Sequence, residues 1–313
     1  RLNEIFSLGV LNIMSLRMKE KMLENGNNFQ EFTNFLGSEK LRISNKLKIV
    51  SDLKGEKRTV FYRYFKTEHL LKSLAEHTLY LASPSSWDDP FETKYMESLD
   101  NIGLQKEEDT NTLKEYSVFA TCFKGESAKV NEEAAWKIYM PASGSIVRVE
   151  IDAYELCYAL CNSIFDGGYL YLSKMDYRLR KNIVTPTPIF DPNINTLKQV
   201  SEKERAVKLR DLFINNFSLK RNAYNYEGEV RVSLIRKGVE DVDHMLLSNF
   251  NWGHVINKIT LQPLNPNKPQ YEEKILRNIA TYQKIKYLIP NKKIYKSNLY
   301  DSNEVDEETE VKL

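Results

Sequence analysis

Cysteine, histidine and net charge are all scarce in this sequence. Its 3 cysteines, Cys122, Cys157 and Cys161, form no Cys-x-x-Cys pair, which argues against a disulfide framework and for reduced thiols in a cytoplasmic protein. The 4 histidines, His69, His77, His244 and His254, are scattered and none neighbours a cysteine in sequence, so no Ser-His-Asp or Cys-His arrangement is written in the chain. Gly167-Gly168 lacks the following Lys-Ser/Thr of a phosphate-binding loop. The formal charge of +2, from 45 basic against 43 acidic residues, excludes the global excess of a nucleic-acid coat. Any nucleic-acid contact requires a local patch. Every apolar run is broken by Lys, Arg or Asn well short of membrane-spanning length, and Arg1-Leu2-Asn3-Glu4-Ile5-Phe6 lacks the apolar core of a secretory signal. No membrane partner is expected.

What is present is the ordinary composition of a globular chain, 42% hydrophobic over 313 residues, enough for one large core plus a smaller appendage. From Asn3 to Glu24 apolar residues recur at helical spacing and Asn25-Gly26-Asn27-Asn28 closes the run, so residues 1–57 are expected to form a helical N-terminal extension. β-Branched and aromatic runs then predict strands near 59–65, 78–82, 117–123, 145–151, 227–235 and 255–261. Helices are expected over Thr67–His77, capped by Thr67, over Glu132–Met140, Ala153–Ile164 and Lys198–Asn216, and near Tyr271–Tyr282 with an alternating run at Lys284–Ile289 beyond it. Strands and helices in this order predict an α+β fold, a twisted antiparallel or mixed sheet with flanking helices over residues 58–300. The end, 301–313, holds six carboxylates against one lysine and is expected to be disordered. Cys157 and Cys161, four apart on a helix, read as small core residues rather than a metal pair, since no histidine or second pair stands near.

The most informative stretch is Tyr226-Glu227-Gly228-Glu229-Val230-Arg231-Val232-Ser233-Leu234-Ile235. Read as a strand, it sets Glu227, Glu229 and Arg231 on one face, with successive carboxylates roughly 7 Å apart. Carboxylates at that spacing can share one ligand or one arginine. Two readings follow: an ion-paired face, or part of a site. Arg63, the one charge in the apolar run Val60–Phe65, poses the same choice, because a buried arginine is nearly always paired and can bridge Glu227 and Glu229 without catalysis.

Taken together, Phe61-Tyr62-Arg63-Tyr64, Trp87-Asp88-Asp89-Pro90-Phe91-Glu92, Thr121-Cys122-Phe123, Trp136 with Tyr139, and Tyr226-Glu227-Gly228-Glu229-Val230-Arg231 resemble the signatures of the domain-of-unknown-function 2971 family over about residues 58–300. In that family the second motif is usually Asn-Asp-Pro-Phe; here Asp88 replaces the Asn, and Tyr224 stands near the usual Trp. An arginine on an early strand, a serine ending the next and a late Glu-x-Glu also resemble, distantly, ADP-ribosyltransferases of the Arg-Ser-Glu type, although the fuller Ser-Thr-Ser triplet is missing. That resemblance implies an NAD-using transferase, a toxin or anti-phage defence effector, acting on a protein or nucleic-acid acceptor. It assigns catalysis to Glu229, with Glu227 orienting the acceptor and Arg231 beside them. Arg63, Tyr62, Tyr80, Ser83, Asp89, Trp136 and Tyr139 would line the NAD site, with Arg63 on the phosphates and Ser83 supporting the nicotinamide pocket.

A second class stays open. Trp87, Trp136, Tyr139, Tyr224 and Tyr226, interleaved with Arg178, Arg180, Lys181, Lys220 and Arg221, can stack on and neutralise single-stranded nucleic acid, or serve a protein-interaction module without catalysis. The oligomeric state is not written in the sequence.

Overall fold

Aromatic and β-branched runs supply the central strands. The computed structural model describes residues 47–49, 60–87, 115–125, 132–139, 144–179, 201–238, 242–301, 303 and 308–311. Strand β1 (Leu47–Ile49) is followed by β2 (Val60–Lys66), α1 (Thr67–Glu76), β3 (Leu79–Ala82), β4 (Tyr116–Gly125), α2 (Glu132–Tyr139), β5 (Ile146–Asp152), α3 (Ala153–Asn162), β6 (Tyr169–Lys174) and β7 (Asp176–Leu179). The second half holds α4 (Glu202–Phe217), β8 (Leu219–Arg221), β9 (Glu229–Lys237), β10 (His244–Leu247), α5 (Trp252–Val255), β11 (Ile256–Leu261), α6 (Tyr271–Leu288), β12 (Lys293–Ser297) and β13 (Glu308–Glu310). The fold is α+β, with a mixed, mostly antiparallel sheet in the order β1-β6-β9-β4-β2-β5-β11-β12-β13; the β3–β10 pair attaches to β4 through Ala82 opposite Ala120. Strands β7 and β8 form a separate parallel pair.

The sheet separates two cores by strict alternation of side chains. On one face Phe61, Phe65, Phe119, Phe123, Val230, Val232 and Leu234 form the larger core with residues of α1, α3, α5 and α6. Asp152 at the end of β5 caps α3, its Oδ1 accepting from the amides of Tyr154 at 2.9 Å and Glu155 at 3.1 Å, an arrangement that satisfies two orphan helix donors. On the opposite face Leu209, Phe213, Ile214 and Phe217 of α4 cover Val118, Ala120, Tyr171 and Ile235. The burial of α4 ends at Phe217, where β8 and then β9 begin, so the charged stretch emerges beside this smaller core.

Four expectations are corrected. Thr67 does not cap α1 with its side chain; it is the first helical residue, its amide donates to the Ser145 carbonyl at 2.9 Å and its hydroxyl accepts from Ser145 Oγ at 2.7 Å, which ties the helix start to β5. Leu47–Ile49, inside the expected helical extension, form β1 parallel to β6; the rest of 1–57 lies outside the described residues. The run at 284–288 continues α6, because Ile285 is buried one turn beyond Thr281 and Tyr282 on the same side of the helix, and the strand follows at β12. Glu308–Glu310, in the tail expected to be disordered, pair with β12 as β13.

Candidate functional site

The register decides which charged residues share a face. Directly opposed residues point the same way, and Tyr62 stands opposite Lys124, which stands opposite Glu229; one step along, Cys122 stands opposite Arg231 and Arg231 opposite Ser173. Tyr62, Lys124, Cys122, Glu229 and Arg231 therefore lie on the α4 side of the sheet. Glu227 precedes the strand rather than opening it: it ends a 3-10 turn, Asn222–Glu227, closed by Gly228 at φ 51° with its amide on the Asn225 carbonyl at 3.2 Å. That left-handed backbone favours glycine, and it swings Glu227 back over Glu229. Gly125, at the end of β4, seats the same turn by donating its amide to the Gly228 carbonyl at 2.8 Å.

At the centre is a buried ion network. Arg231, 0% exposed, donates Nε to Glu229 Oε1 at 2.5 Å and Nη1 to the Phe217 carbonyl at 3.2 Å, with its guanidinium over the rings of Trp87 at 4.7 Å and Phe217 at 4.9 Å. Lys220 of β8 donates to Glu229 Oε2 at 2.5 Å and to Glu227 Oε2 at 2.6 Å. The Glu229 amide donates to Tyr177 Oη at 2.7 Å, and the Cys122 thiol hydrogen-bonds its carboxylate. Burial alone would raise the Glu229 pKa, but Arg231 and Lys220 outweigh it and hold this carboxyl well below the usual range. Glu227 moves the other way: its partial burial, helped by the charge of Glu229, outweighs Lys220 and raises its pKa. Burial, then the charge of Glu229, also pushes the Cys122 thiol well up, which leaves it a poor nucleophile at neutral pH.

An aromatic wall adjoins this network. The rings of Tyr64 and Tyr139 stack with centroids 5.1 Å apart, and Trp136, buried, meets Tyr64 edge-on at 5.0 Å, so the three-residue spacing of Trp136 and Tyr139 on α2 does bring both to one aromatic partner. Tyr139 is 43% exposed; burial of the rest and the nearby charge of Glu227 raise its pKa. Lys124 is half-buried, its pKa lowered by burial despite the nearby charge of Glu227. Among the described residues no carboxylate comes within ion-pair distance of it.

Several expected members stand elsewhere. Arg63 points to the other face of the sheet: it bonds Thr121 Oγ1, and its guanidinium lies 4.5 Å from the Phe65 ring and 5.5 Å from the Phe123 ring, residues of the larger core. It neither bridges Glu227 and Glu229 nor joins their site, because β2 and β4 share just the pairs Phe61–Gly125 and Tyr62–Lys124 and then splay, leaving Arg63 to reach across the fork on the core side. With no carboxylate partner among the described residues, its pKa falls by burial to about 10. Ser83 gives its amide to the Asp243 carbonyl at 2.7 Å and pairs its hydroxyl with Ser85 at 2.8 Å. Tyr80 stacks on His244 at 4.8 Å, on the β3–β10 ladder. Tyr62 lies beneath the Arg148 guanidinium, 5.2 Å from its ring centroid. Asp89 lies outside the described residues, as do Arg180 and Lys181. Cys157 is fully buried in the larger core.

Comparison with protein-family models, with curated proteins and with solved structures returns no match. The geometry alone therefore carries the argument. It adds Tyr177 as a bonding partner of Glu229 and Lys124 as a cation with no carboxylate partner among the described residues, and it gives new places to two residues named in the sequence, Cys122 as a bonding partner of Glu229 and Lys220 as the bridge between Glu227 and Glu229. The sequence offers one signal for Lys220, a lysine immediately before a turn into two carboxylates; nothing marks Tyr177, whose contact depends on the β7–β8 pair.

Proposed function

We propose that the site formed by Tyr62 and Lys124 on the sheet, Glu227 on the turn before β9 and Tyr139 on α2 binds a nucleotide of the NAD class and transfers its ADP-ribosyl group to an acceptor, with Glu227 rather than Glu229 as the working carboxylate. The observation that carries this reading is the contrast within the pair. Both oxygens of Glu229 are engaged by Arg231 and Lys220, whereas Glu227 keeps one oxygen away from Lys220, is partly exposed and has a raised pKa. A partly exposed carboxylate with a raised pKa, near Tyr139 and near Lys124, which has no carboxylate partner among the described residues, has the character of a general base. Tyr139 offers a planar surface for a base, and Lys124 a cation for the diphosphate.

In the reaction, an acceptor O–H or N–H attacks C1′ of the nicotinamide ribose, the N-glycosidic bond breaks, nicotinamide leaves with the bonding electron pair, and the acceptor proton passes to Glu227. Glu229 acts through Lys220, fixing the ammonium that orients Glu227. The test is nicotinamide release from NAD by the wild type and by Glu227→Gln. The variant should retain NAD affinity and lose turnover by about a hundredfold or more, the usual scale for removing a general base. Failure of the wild type to bind NAD at all refutes the reading. A second reading, a nucleotide-binding module without catalysis, is favoured by the saturation of Glu229; NAD binding with no nicotinamide release in the wild type would select it.

A further inference from the structure

A second charged cluster sits on the same sheet face, and one of its members comes from the C-terminal edge. Glu308, the first residue of β13, places a single carboxylate among three donors from other strands. Its Oε1 accepts from Arg148 Nη2 of β5 and from Thr260 Oγ1 of β11 at 2.7 Å, and its Oε2 accepts from Lys258 Nζ of β11 at 2.6 Å. Lys258 also meets Glu150 Oε2 at 3.5 Å. The side chains of Arg148 and Glu308 are only 11% and 9% exposed.

The donors and the carboxylate differ in how they are held. Arg148, Lys258 and Thr260 stand on adjacent antiparallel strands deep in the sheet, where Thr260 lies opposite Arg148 and Lys258 opposite Glu150. Their backbones are fixed by the β5–β11 ladder, which does not involve β13. Glu308 instead belongs to a 3-residue strand whose ladder partner is β12. Two cations and a hydroxyl converging on two oxygens form the donor set that binds a phosphoryl group. Glu308 supplies the two oxygens on which these donors converge, and a buried carboxylate so held marks the place as one that accepts an anion.

We propose that Arg148, Lys258 and Thr260 form a phosphoryl-anion site that Glu308 occupies in cis, so that a phosphate-bearing ligand binds by displacing this carboxylate. Glu308 is then an internal competitor. The site neighbours Tyr62, over which Arg148 lies, and the charge of Arg148 reaches Lys124. The proposal is nevertheless independent of any reaction at Glu227, since its ligand is recognised by charge alone.

The expected effect follows from competition: apparent affinity is the intrinsic affinity reduced by the fraction of molecules in which the site is open. If Glu308 fills the site nine-tenths of the time or more, its neutralisation tightens binding at least about tenfold. Calorimetric titration of the full chain with inorganic pyrophosphate at low salt should therefore show Glu308→Gln binding at least about tenfold more tightly than wild type. Adding Arg148→Gln to Glu308→Gln should abolish the gain. Equal affinity of Glu308→Gln and wild type, or a gain that survives Arg148→Gln, overturns the proposal. Should Glu308→Gln fail to fold, hydrogen exchange on the wild type decides. Saturating pyrophosphate should speed amide exchange over residues 308–310, and unchanged or slower exchange there refutes displacement. Neither readout involves NAD, so a negative result here leaves the transferase reading standing, and the converse holds.

Discussion

Glu229→Gln is the substitution in which the sequence reading and the structure disagree most sharply. On the motif alone the variant keeps its fold and loses activity, since the shape is unchanged. In the structure, Glu229 is the sole carboxylate bonding Arg231, a fully buried guanidinium, among the described residues, and one of two bonding Lys220. The glutamine amide keeps one acceptor oxygen and turns an N–H₂ toward a cation. Removing one partner of a buried pair costs about 3–5 kcal/mol. For a chain of this size that corresponds to a fall in Tm of roughly 5–8 °C, a large share of a total stability on the order of 5–15 kcal/mol. The pH dependence carries the same signature. Because Arg231 and Lys220 depress the folded-state pKa of Glu229 below its unfolded value of about 4.3, the stabilisation is fully present above that value and is lost as pH falls below it toward the folded pKa. The gap between thermal melts of wild type and variant should thus be constant from pH 7 to about pH 5 and narrow progressively from there to pH 3. A variant within about 1 kcal/mol of wild type at pH 7, or one whose deficit is independent of pH, would show that the network does not hold this corner of the fold.

Glu227→Gln should behave oppositely: a raised folded pKa favours the fold below the unfolded pKa and disfavours it above, so neutralising this side chain should leave Tm at pH 7 unchanged or higher, and a melt showing a fall of several degrees would contradict that. Arg63→Met should be neutral or stabilising in denaturant unfolding, because a part-buried cation without a carboxylate partner among the described residues gives way to an apolar chain of similar length among Phe65 and Phe123; it should also leave NAD affinity unchanged. Gly125→Ala should destabilise by about 1–3 kcal/mol, the usual scale for forcing extra atoms into packed structure, since its Cβ would sit 2.9 Å from the Gly228 carbonyl oxygen, and should weaken nucleotide binding with it by moving the turn that aims Glu227.

Much of the sheet was legible because its strands carry strong local signals. The run Glu229–Lys237 alternates, and Val60–Phe65 is aromatic or β-branched at every position but Arg63, so each reads as a strand without reference to its neighbours. The pairs at the edges were not. β1 and β13 are 3 residues each and drawn from polar surroundings, and their pairing is supplied by β6 and β12 rather than by their own propensity. At the site, the grouping of Glu227, Glu229 and Arg231 follows from proximity in the chain. The error over Arg63 has a different source: alternation gives the two sides of each strand, but only the register between strands says which side of β2 matches which side of β9. That information is non-local, and it moved Arg63 to the far face.

The most direct test of the account is to map where a nucleotide lands. Amide and side-chain chemical-shift perturbation by ADP-ribose, which resembles the product and does not turn over, distinguishes the two sheet faces. The account predicts shifts at Lys124, Tyr139, Tyr226 and Glu227, with Thr121, Phe65 and the Arg63 guanidinium unmoved. Shifts centred on Arg63 and Thr121, or no shifts at saturating ligand, would contradict it.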